Sequence, residues 1–366
     1  MKDWRALRER HDRADMFDRI RGLPEQIEDA VARFRVEGAE PEGSDLRNVL
    51  LLGMGGSAIG GEIAAALLRP TAGIPVCVVR GPEVPAWCGP DTLALAASYS
   101  GETEETAAAA ARALERGARL AVVASGGELL ARAEARGLPR VSIPSGFPPR
   151  AAIGYLAASV LLLLERAGVG SEDGRALRDA ARLLGAQRDE WKLGGAPCES
   201  APAEAARSLF GLVPYVYYAE GEMAPVAARW CGQLAENAKT LAHRAAFPEA
   251  NHNEIVGWER ADGIPPIGLV LLTSEADPPS VRRGMEGALR MMKESARIVL
   301  CHVPRGDRPL ARILSGIYFG DFVSYFLALL HGVDPTPVLS IDRLKLELAA
   351  ERGGKRADGR DGRERL

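Results

Sequence analysis

A glycine-rich segment, G-M-G-G-S-A-I-G-G at residues 53–61, lies between an apolar run and a helical stretch. Glycine lets a ligand approach the backbone closely, and a helix N-terminus offers free N–H groups with about half a positive charge. Gly56 and Ser57 are therefore candidates to bind a phosphate through backbone and hydroxyl donors. A plain turn between a strand and a helix is the alternative that this pattern leaves open.

Two kinds of nucleotide site share this glycine pattern but need further residues. A dinucleotide site needs an acidic residue about 20 positions further on, which binds the ribose. Here the next apolar run ends at Val79 and is followed by Arg80. An NTP-binding loop needs G-K-[ST], which this segment lacks. We therefore expect no nucleotide cofactor, and a nicotinamide-dependent oxidoreductase is disfavoured.

A cluster of hydroxyl groups occurs in S-Y-S-G-E-T-E-E-T, residues 98–106, again between an apolar run and a helical stretch. Ser98, Ser100 and Thr103 surround Gly101 and form a nest of neutral donors at a helix N-terminus. Such a nest suits a phosphate monoester that must be held and then released. Helix capping needs only one Ser or Thr, so three hydroxyls favour phosphate binding over capping alone.

Arg150 lies in P-S-G-F-P-P-R-A-A-I-G-Y, residues 144–155, where two prolines precede a long apolar stretch. The prolines place Arg150 at or beside the first turn of a helix, where the helix dipole disfavours a cation. A residue that violates its local preference is often functional. An arginine at this position would stabilise a developing oxyanion. A surface arginine is the structural alternative.

Candidate acid–base groups occur in residues 232–259. Glu236 and Lys239 are three apart on a predicted helix, a spacing typical of a solvated ion pair. His252, one of only five histidines, lies in N-H-N after a proline-containing turn, and loops often carry functional residues. Each residue alone is more readily explained as structural. N-H-N-E does not match H-E-x-x-H, and no group of residues has metal-ligand spacing, so we expect no metal.

Alternating apolar runs and helical stretches must position these residues. In the first half, strands are predicted at 48–52, 75–79, 92–97, 120–124 and 140–143, with helices at 57–68, 103–116, 128–136 and 151–167. After a polar stretch with one helix (172–193), strands follow at 213–218, 269–273 and 298–303, with helices at 224–242, 279–294 and 310–330. Continuous apolar strands that alternate with helices predict parallel sheets covered on both faces.

The sequence therefore predicts an α/β protein with two Rossmann-like domains. The predicted parts are an N-terminal helical segment (1–45), a first domain (46–168), a connecting helix and linker (169–200), a second domain (201–350) and a disordered tail (351–366).

Composition restricts the class of protein further. With 366 residues, 47% hydrophobic and 26% charged, the chain is long enough for two domains. Its net charge of −3 gives no general attraction to nucleic acid or to an anionic membrane. The five cysteines form no C-x-x-C pair, which indicates reduced thiols. The charged start and an apolar run (151–164) shorter than the roughly 20 residues of a membrane span lead us to expect a soluble, cytoplasmic protein.

In this order, G-M-G-G-S, S-Y-S-G-x-T, P-P-R-A-A-x-G-Y, E-N-A-K and N-H-N-E resemble the bifunctional phosphoglucose/phosphomannose isomerases of the SIS (sugar isomerase) superfamily. The resemblance extends from about residue 49 to residue 345. It implies two flavodoxin-like SIS domains and a metal-independent aldose–ketose isomerase without a cofactor. The implied reaction interconverts glucose 6-phosphate or mannose 6-phosphate with fructose 6-phosphate through a cis-enediolate.

The resemblance also implies roles for single residues. Glu236 would move a proton between C1 and C2, and Arg150 would stabilise the enediolate. His252, supplied by the partner subunit of a homodimer, and Lys345 would open the sugar ring. Thr336 is a candidate for the wall of the site near C2. The phosphate would be bound by Gly56, Ser57, Ser98, Ser100 and Thr103.

Three positions depart from the family pattern, namely Glu102, Ala219 and Ala235, and they affect the expected substrate more than the reaction type. Glu102 in particular would add negative charge beside the phosphate nest. Two alternatives follow: an SIS isomerase of another sugar phosphate, or a non-catalytic sugar-phosphate sensor. A sensor has no need of a base and a cation, yet Glu236 and Arg150 are both present.

Overall fold

The computed structural model describes residues 3–41, 45–170, 174–263 and 266–358. Three helices precede the first sheet: α1 (Trp4–His11), α2 (Met16–Arg21) and α3 (Leu23–Arg33). The first sheet consists of β1 (Asn48–Leu52), β2 (Val76–Val79), β3 (Thr92–Ala97), β4 (Arg119–Ala124) and β5 (Arg140–Ser142). Its helices are α4 (Gly55–Leu68), α5 (Glu104–Glu115), α6 (Gly127–Ala135) and α7 (Ile153–Arg166).

The second half repeats this arrangement. Helices α8 (Gly174–Glu190) and α9 (Ala201–Leu209) lead into a sheet of β6 (Val213–Ala219), β7 (His243–Phe247), β8 (Ile267–Leu272) and β9 (Ile298–His302). The remaining helices are α10 (Met223–Glu236), α11 (Pro279–Met292), α12 (Pro309–His331) and α13 (Leu339–Asp358).

Both sheets are entirely parallel, and their strand orders correspond. The first has the order β2-β1-β3-β4-β5 and the second has β7-β6-β8-β9. In each sheet the order reverses beside the first strand of the domain, between β1 and β3 or between β6 and β8. At such a switch point the carboxyl ends of the strands form a crevice in which ligands bind. The prediction of two helix-flanked parallel sheets is confirmed.

Two helices hold the domains together. Helix α4 packs on α7 within the first domain and on α10 of the second. Helix α12 packs against α8, α9 and α10, and its residues from Ile313 to Leu330 are buried. By length and composition α12 alone among the helices of the described residues could cross a membrane, although its apolar window is wholly buried inside the protein.

The structure corrects three parts of the prediction. The helix predicted over 224–242 ends at Glu236, and β7 follows it. Alanine and the E-N-A-K run favour helix locally, but Lys239 has a left-handed φ of +55° in the segment that separates α10 from β7. No element is predicted for residues 243–247, which pair along their whole length with β6. Helix α9 has no counterpart in the prediction.

The third correction concerns the C-terminus. Helix α13 continues to Asp358, so residues 351–358 are helical where a disordered tail is predicted. The Glu, Arg, Lys and Ala residues of this stretch have high intrinsic helix propensity. The rest of the predicted tail, 359–366, lies outside the described residues.

Candidate active site

Arg150 lies in a short 3₁₀ turn ahead of α7 and is only 3% exposed. Its Nε donates to Asn237 Oδ1 (2.7 Å) and its Nη1 to Glu236 Oε2 (3.3 Å). Its Nη2 donates to the carbonyl oxygens of Pro335 (2.7 Å) and Thr336 (2.8 Å). The guanidinium therefore joins the first domain to the end of α10 and to the loop after α12. Burial lowers the pKa of Arg150, and the Glu236 carboxylate opposes that change.

A second buried arginine fixes the backbone of this turn. Arg229 Nη2 donates to the Arg150 carbonyl oxygen at 2.6 Å. The same guanidinium makes a two-point ion pair with Asp321, with Nε–Oδ1 at 2.9 Å and Nη2–Oδ2 at 2.7 Å. These side chains are 3% and 4% exposed. Because both the backbone and the guanidinium of Arg150 are held, its position is set before any ligand binds.

Glu236 is the last residue of α10, and its side chain is 30% exposed. A carboxylate that is partly open to solvent and adjacent to a fixed cation can accept a proton from a ligand while the cation stabilises the resulting negative charge. Arg150 and Glu236 are thus brought together as predicted. The surface-arginine alternative for Arg150 is wrong, since the side chain is buried.

The hydroxyl cluster forms a compact turn after β3. Ser98 Oγ lies 2.9 Å from Thr103 Oγ1 and accepts a hydrogen bond from the Gly101 N–H. Thr103 occupies the N-cap position of α5, but its hydroxyl makes no capping hydrogen bond. Ser100 Oγ accepts the N–H of Glu102. Capping of α5 therefore does not account for these hydroxyl groups.

The glycine-rich turn connects this cluster to Arg150. Ser57 Oγ accepts the Tyr99 N–H at 3.0 Å, which joins the turns after β1 and β3 at the switch point. A Cβ on Gly56 would lie 3.2 Å from Arg150 Cα and 3.3 Å from its N, so glycine allows the arginine turn to pack closely here. The predicted phosphate-binding segments and the predicted oxyanion cation are therefore neighbours.

The Glu102 carboxylate interacts with α6, whereas the sequence predicts that it adds negative charge beside the hydroxyl cluster. Its Oε1 accepts the N–H of Glu128 at 2.8 Å, in the first turn of α6. A carboxylate is favoured at that position by the dipole of α6. Its interaction with α6, rather than with the hydroxyl cluster, explains why an acidic residue is tolerated beside Gly101.

The equivalent crevice of the second sheet is occupied by the protein's own carboxylate. Glu222, at the N-cap of α10, accepts hydrogen bonds from Arg312 Nε (2.8 Å) and Nη2 (2.7 Å) and from Ser274 Oγ (3.2 Å). Asp277 adds a second carboxyl group, which accepts the Ser274 N–H. Two carboxyl groups disfavour an anionic ligand, so the crevice of the first sheet is the candidate phosphate site.

Two predicted site residues lie apart from this arrangement. His252 is exposed, and within the described contacts it forms no hydrogen bond or ion pair with Glu236 or Arg150. Its segment packs through Trp258 on one face of the second sheet, whereas α10 packs on the other. Lys345 is exposed on α13 and likewise makes no described contact with either residue.

Four residues of the site were not assigned from the sequence: Asn237, Lys239, Arg229 and Asp321. The last two stand alone in apolar helical stretches, V-A-A-R-W and F-G-D-F, and an isolated charge in such a stretch is a usable signal of a buried pair. Lys239 does not form the predicted helical ion pair with Glu236, because α10 ends at Glu236. No group of three or more His, Cys, Asp or Glu side chains suited to a metal ion occurs in the described ranges.

Family models match both halves of the chain. Residues 199–348 match the bacterial phospho-glucose isomerase C-terminal SIS domain, and residues 44–137 match the SIS domain. A bifunctional phosphoglucose/phosphomannose isomerase of Caldicellulosiruptor bescii is 36% identical, over 91% of this chain and 99% of its own. One from Aquifex aeolicus is 32% identical, over 88% of this chain and 97% of its own.

A solved structure supports the same fold. The C-terminal domain of glucosamine-fructose-6-phosphate aminotransferase from Francisella tularensis superposes with a TM-score of 0.67, covering 88% of this chain and 98% of that one. Its sequence identity is 12%, so this likeness concerns the fold alone.

Because the Arg229–Asp321 pair is buried, removing the Asp321 charge should destabilise the protein far more than removing an exposed carboxylate. Asp321→Asn leaves a buried guanidinium without its counter-charge and should lower the free energy of unfolding by about 3–5 kcal/mol. Glu220→Gln removes the exposed pair with Arg69, whose side chains are 67% and 48% exposed, and should cost at most about 1 kcal/mol. Denaturant unfolding of both variants tests this. Equal losses would contradict the structural role of Asp321.

Proposed function

The chain belongs to the family of bifunctional phosphoglucose/phosphomannose isomerases, and on this basis we propose that it interconverts glucose 6-phosphate and mannose 6-phosphate with fructose 6-phosphate. Family membership makes it a sugar-phosphate isomerase. The observation that carries the proposal for this chain is the pairing of Glu236 Oε2 with Arg150 Nη1 at 3.3 Å, beside the hydroxyl cluster.

The proposed chemistry is a proton transfer between adjacent carbons. Glu236 removes the C2 proton of the open-chain aldose, the C2–H electron pair forms the C1–C2 double bond, and negative charge develops on the C1 oxygen. The hydroxyl proton on the C2 oxygen moves to the C1 oxygen, and return of the carbon-bound proton to C1 then leaves the C2 oxygen as the carbonyl of the ketose. Arg150 has five N–H donors, and one on Nη1 has no partner in the described part of the chain, so it is free to stabilise the enediolate oxygen.

The same intermediate accounts for two substrates. Glucose 6-phosphate and mannose 6-phosphate differ only at C2, and C2 becomes planar in the enediolate. Thr336 is proposed to form part of the wall of the site near C2. Its carbonyl oxygen accepts a hydrogen bond from Arg150, which places the residue beside the proposed cation. Its own Oγ1 is buried and has no hydrogen-bond partner within the described residues. A base, a cation and a hydroxyl cluster together support catalysis rather than mere sensing.

We propose that the active unit is a homodimer in which His252 of one subunit serves the site of the other. Within one subunit the His252 segment and α10 pack on opposite faces of the second sheet, which argues against a route from His252 to Glu236 inside the same chain. Ring opening needs an acid distinct from the base that acts at C2. His252 and Lys345 are the candidates for that role.

The isomerase proposal is tested by NMR of the purified protein with each hexose 6-phosphate in turn, with EDTA present. We expect both aldoses to equilibrate with fructose 6-phosphate, because the proposed base and cation are protein side chains. Activity that is lost with chelator and restored by zinc would contradict metal independence. Turnover of a heptose or pentose phosphate alone would favour the other isomerase, and binding without turnover would favour a sensor.

The shared site is tested with two inactive variants. A Glu236→Gln dimer lacks the base at both sites, and a His252→Ala dimer lacks the ring-opening group at both. In a mixed dimer one site inherits both lesions and the other inherits neither. Unfolding and refolding the two together should give about half heterodimers, each with one intact site, and restore about a quarter of wild-type activity.

If His252 serves its own subunit, each site of the heterodimer keeps one lesion. A mixture no more active than its parents, with heterodimers demonstrated by mass spectrometry, would therefore contradict the shared site. That result would leave the isomerase assignment intact.

A further inference from the structure

The 334–338 loop, between α12 and α13, is held at the site by its backbone. The carbonyl oxygens of Pro335 and Thr336 both accept from Arg150 Nη2, and the Thr336 N–H donates to Asp334 Oδ1 at 2.9 Å. Pro335 is buried. Thr336 therefore has a fixed backbone, while its hydroxyl has no hydrogen-bond partner in the described part of the chain.

Lys239 provides a separate attachment for this loop. Its Nζ donates to the Glu236 carbonyl oxygen at 2.5 Å and to the Pro337 carbonyl oxygen at 2.7 Å. Its backbone has φ of +55°, a left-handed conformation that is unfavourable for a residue with a side chain. Burial and the nearby charge of Arg150 lower the pKa of Lys239, and the carboxylates of Asp334 and Glu236 oppose that change.

We propose that Lys239 is a positioning residue that holds the 334–338 loop against the end of α10 and thereby sets the selectivity between the two C2 epimers. This inference rests on the proposed function. Glu236 is at the end of α10, and Thr336 is next to Pro337 in the loop, so the ammonium fixes the proposed base relative to the proposed wall. No other described contact joins the Glu236 backbone to the loop.

Removing the Lys239 ammonium should change the selectivity between the two aldose phosphates rather than the proton transfer itself. Without a donor between them, the Glu236 and Pro337 carbonyl oxygens face each other across the former site of Nζ, and the two dipoles repel. The loop then moves away from α10 at Pro337. Arg150 still holds Pro335 and Thr336 through two other carbonyls, so the pairing of base and cation persists while the Thr336 hydroxyl shifts.

The test compares Lys239→Met, which keeps an unbranched side chain without the ammonium, with Lys239→Arg, which keeps a cation. Lys293→Met, at the exposed C-terminal end of α11, is the matched control. For each variant, kcat and KM are measured with glucose 6-phosphate and with mannose 6-phosphate. Lys239→Met should change the ratio of the two kcat/KM values by at least ~3-fold, because small displacements in a site have large kinetic effects. Lys239→Arg should restore part of the ratio, and Lys293→Met should leave it unchanged.

An equal loss with both aldoses, or no loss at all, would overturn the selectivity role. Hydrogen exchange at the Asp334, Thr336 and Val338 amides, followed by mass spectrometry, tests the attachment without any substrate. Lys239→Met should accelerate exchange in this loop, and protection equal to wild type would overturn the proposal. Accelerated exchange in a protein that turns over neither aldose would instead refute the proposed function and leave the loop attachment standing.

Discussion

The burial of the Arg150 guanidinium is the constraint on which the rest of the site depends. Burying a charged group is costly unless its own donors find hydrogen-bond partners or counter-charges, and arginine has five N–H donors in a fixed geometry. Four of them are used by Asn237, Glu236, Pro335 and Thr336, which belong to the second domain and to the loop after α12. The first domain therefore cannot satisfy its own arginine. The base–cation pair thus forms only where the two domains pack together.

The two sheets have corresponding strand orders but opposite electrostatics at their switch points. In the first, glycines and hydroxyls leave donors for an anion. In the second, Glu222 accepts three hydrogen bonds from Arg312 and Ser274, in the position where an anionic ligand would otherwise bind. The crevice of the first sheet is therefore the proposed phosphate site of each chain. The second domain instead contributes the far end of α10, which carries Glu236.

The sequence predicted well what depends on local pattern. The strands of the first sheet are continuous apolar runs, and their predicted and observed bounds agree closely. The prediction failed where long-range pairing decides the structure, as in β7, whose H-R-A-A-F sequence is assigned to no element and forms a strand by pairing with β6. Arg150 was recognisable because it violates a local rule. Its partners Asn237 and Pro335 were not, since nothing in their own neighbourhoods indicates a contact 87 or 185 positions away.

The central claim is that Glu236, held beside the cation of Arg150, is the base that acts at C2. The most direct measurement is deuterium incorporation at C2 of the aldose phosphate in D₂O, in wild type and in Glu236→Gln. Glutamine keeps the shape of the side chain but accepts no proton, and general-base catalysis is worth about 10²–10⁴-fold. Incorporation should therefore fall by at least about 10²-fold in the variant. Incorporation at the wild-type rate would contradict it and would place the base on another residue.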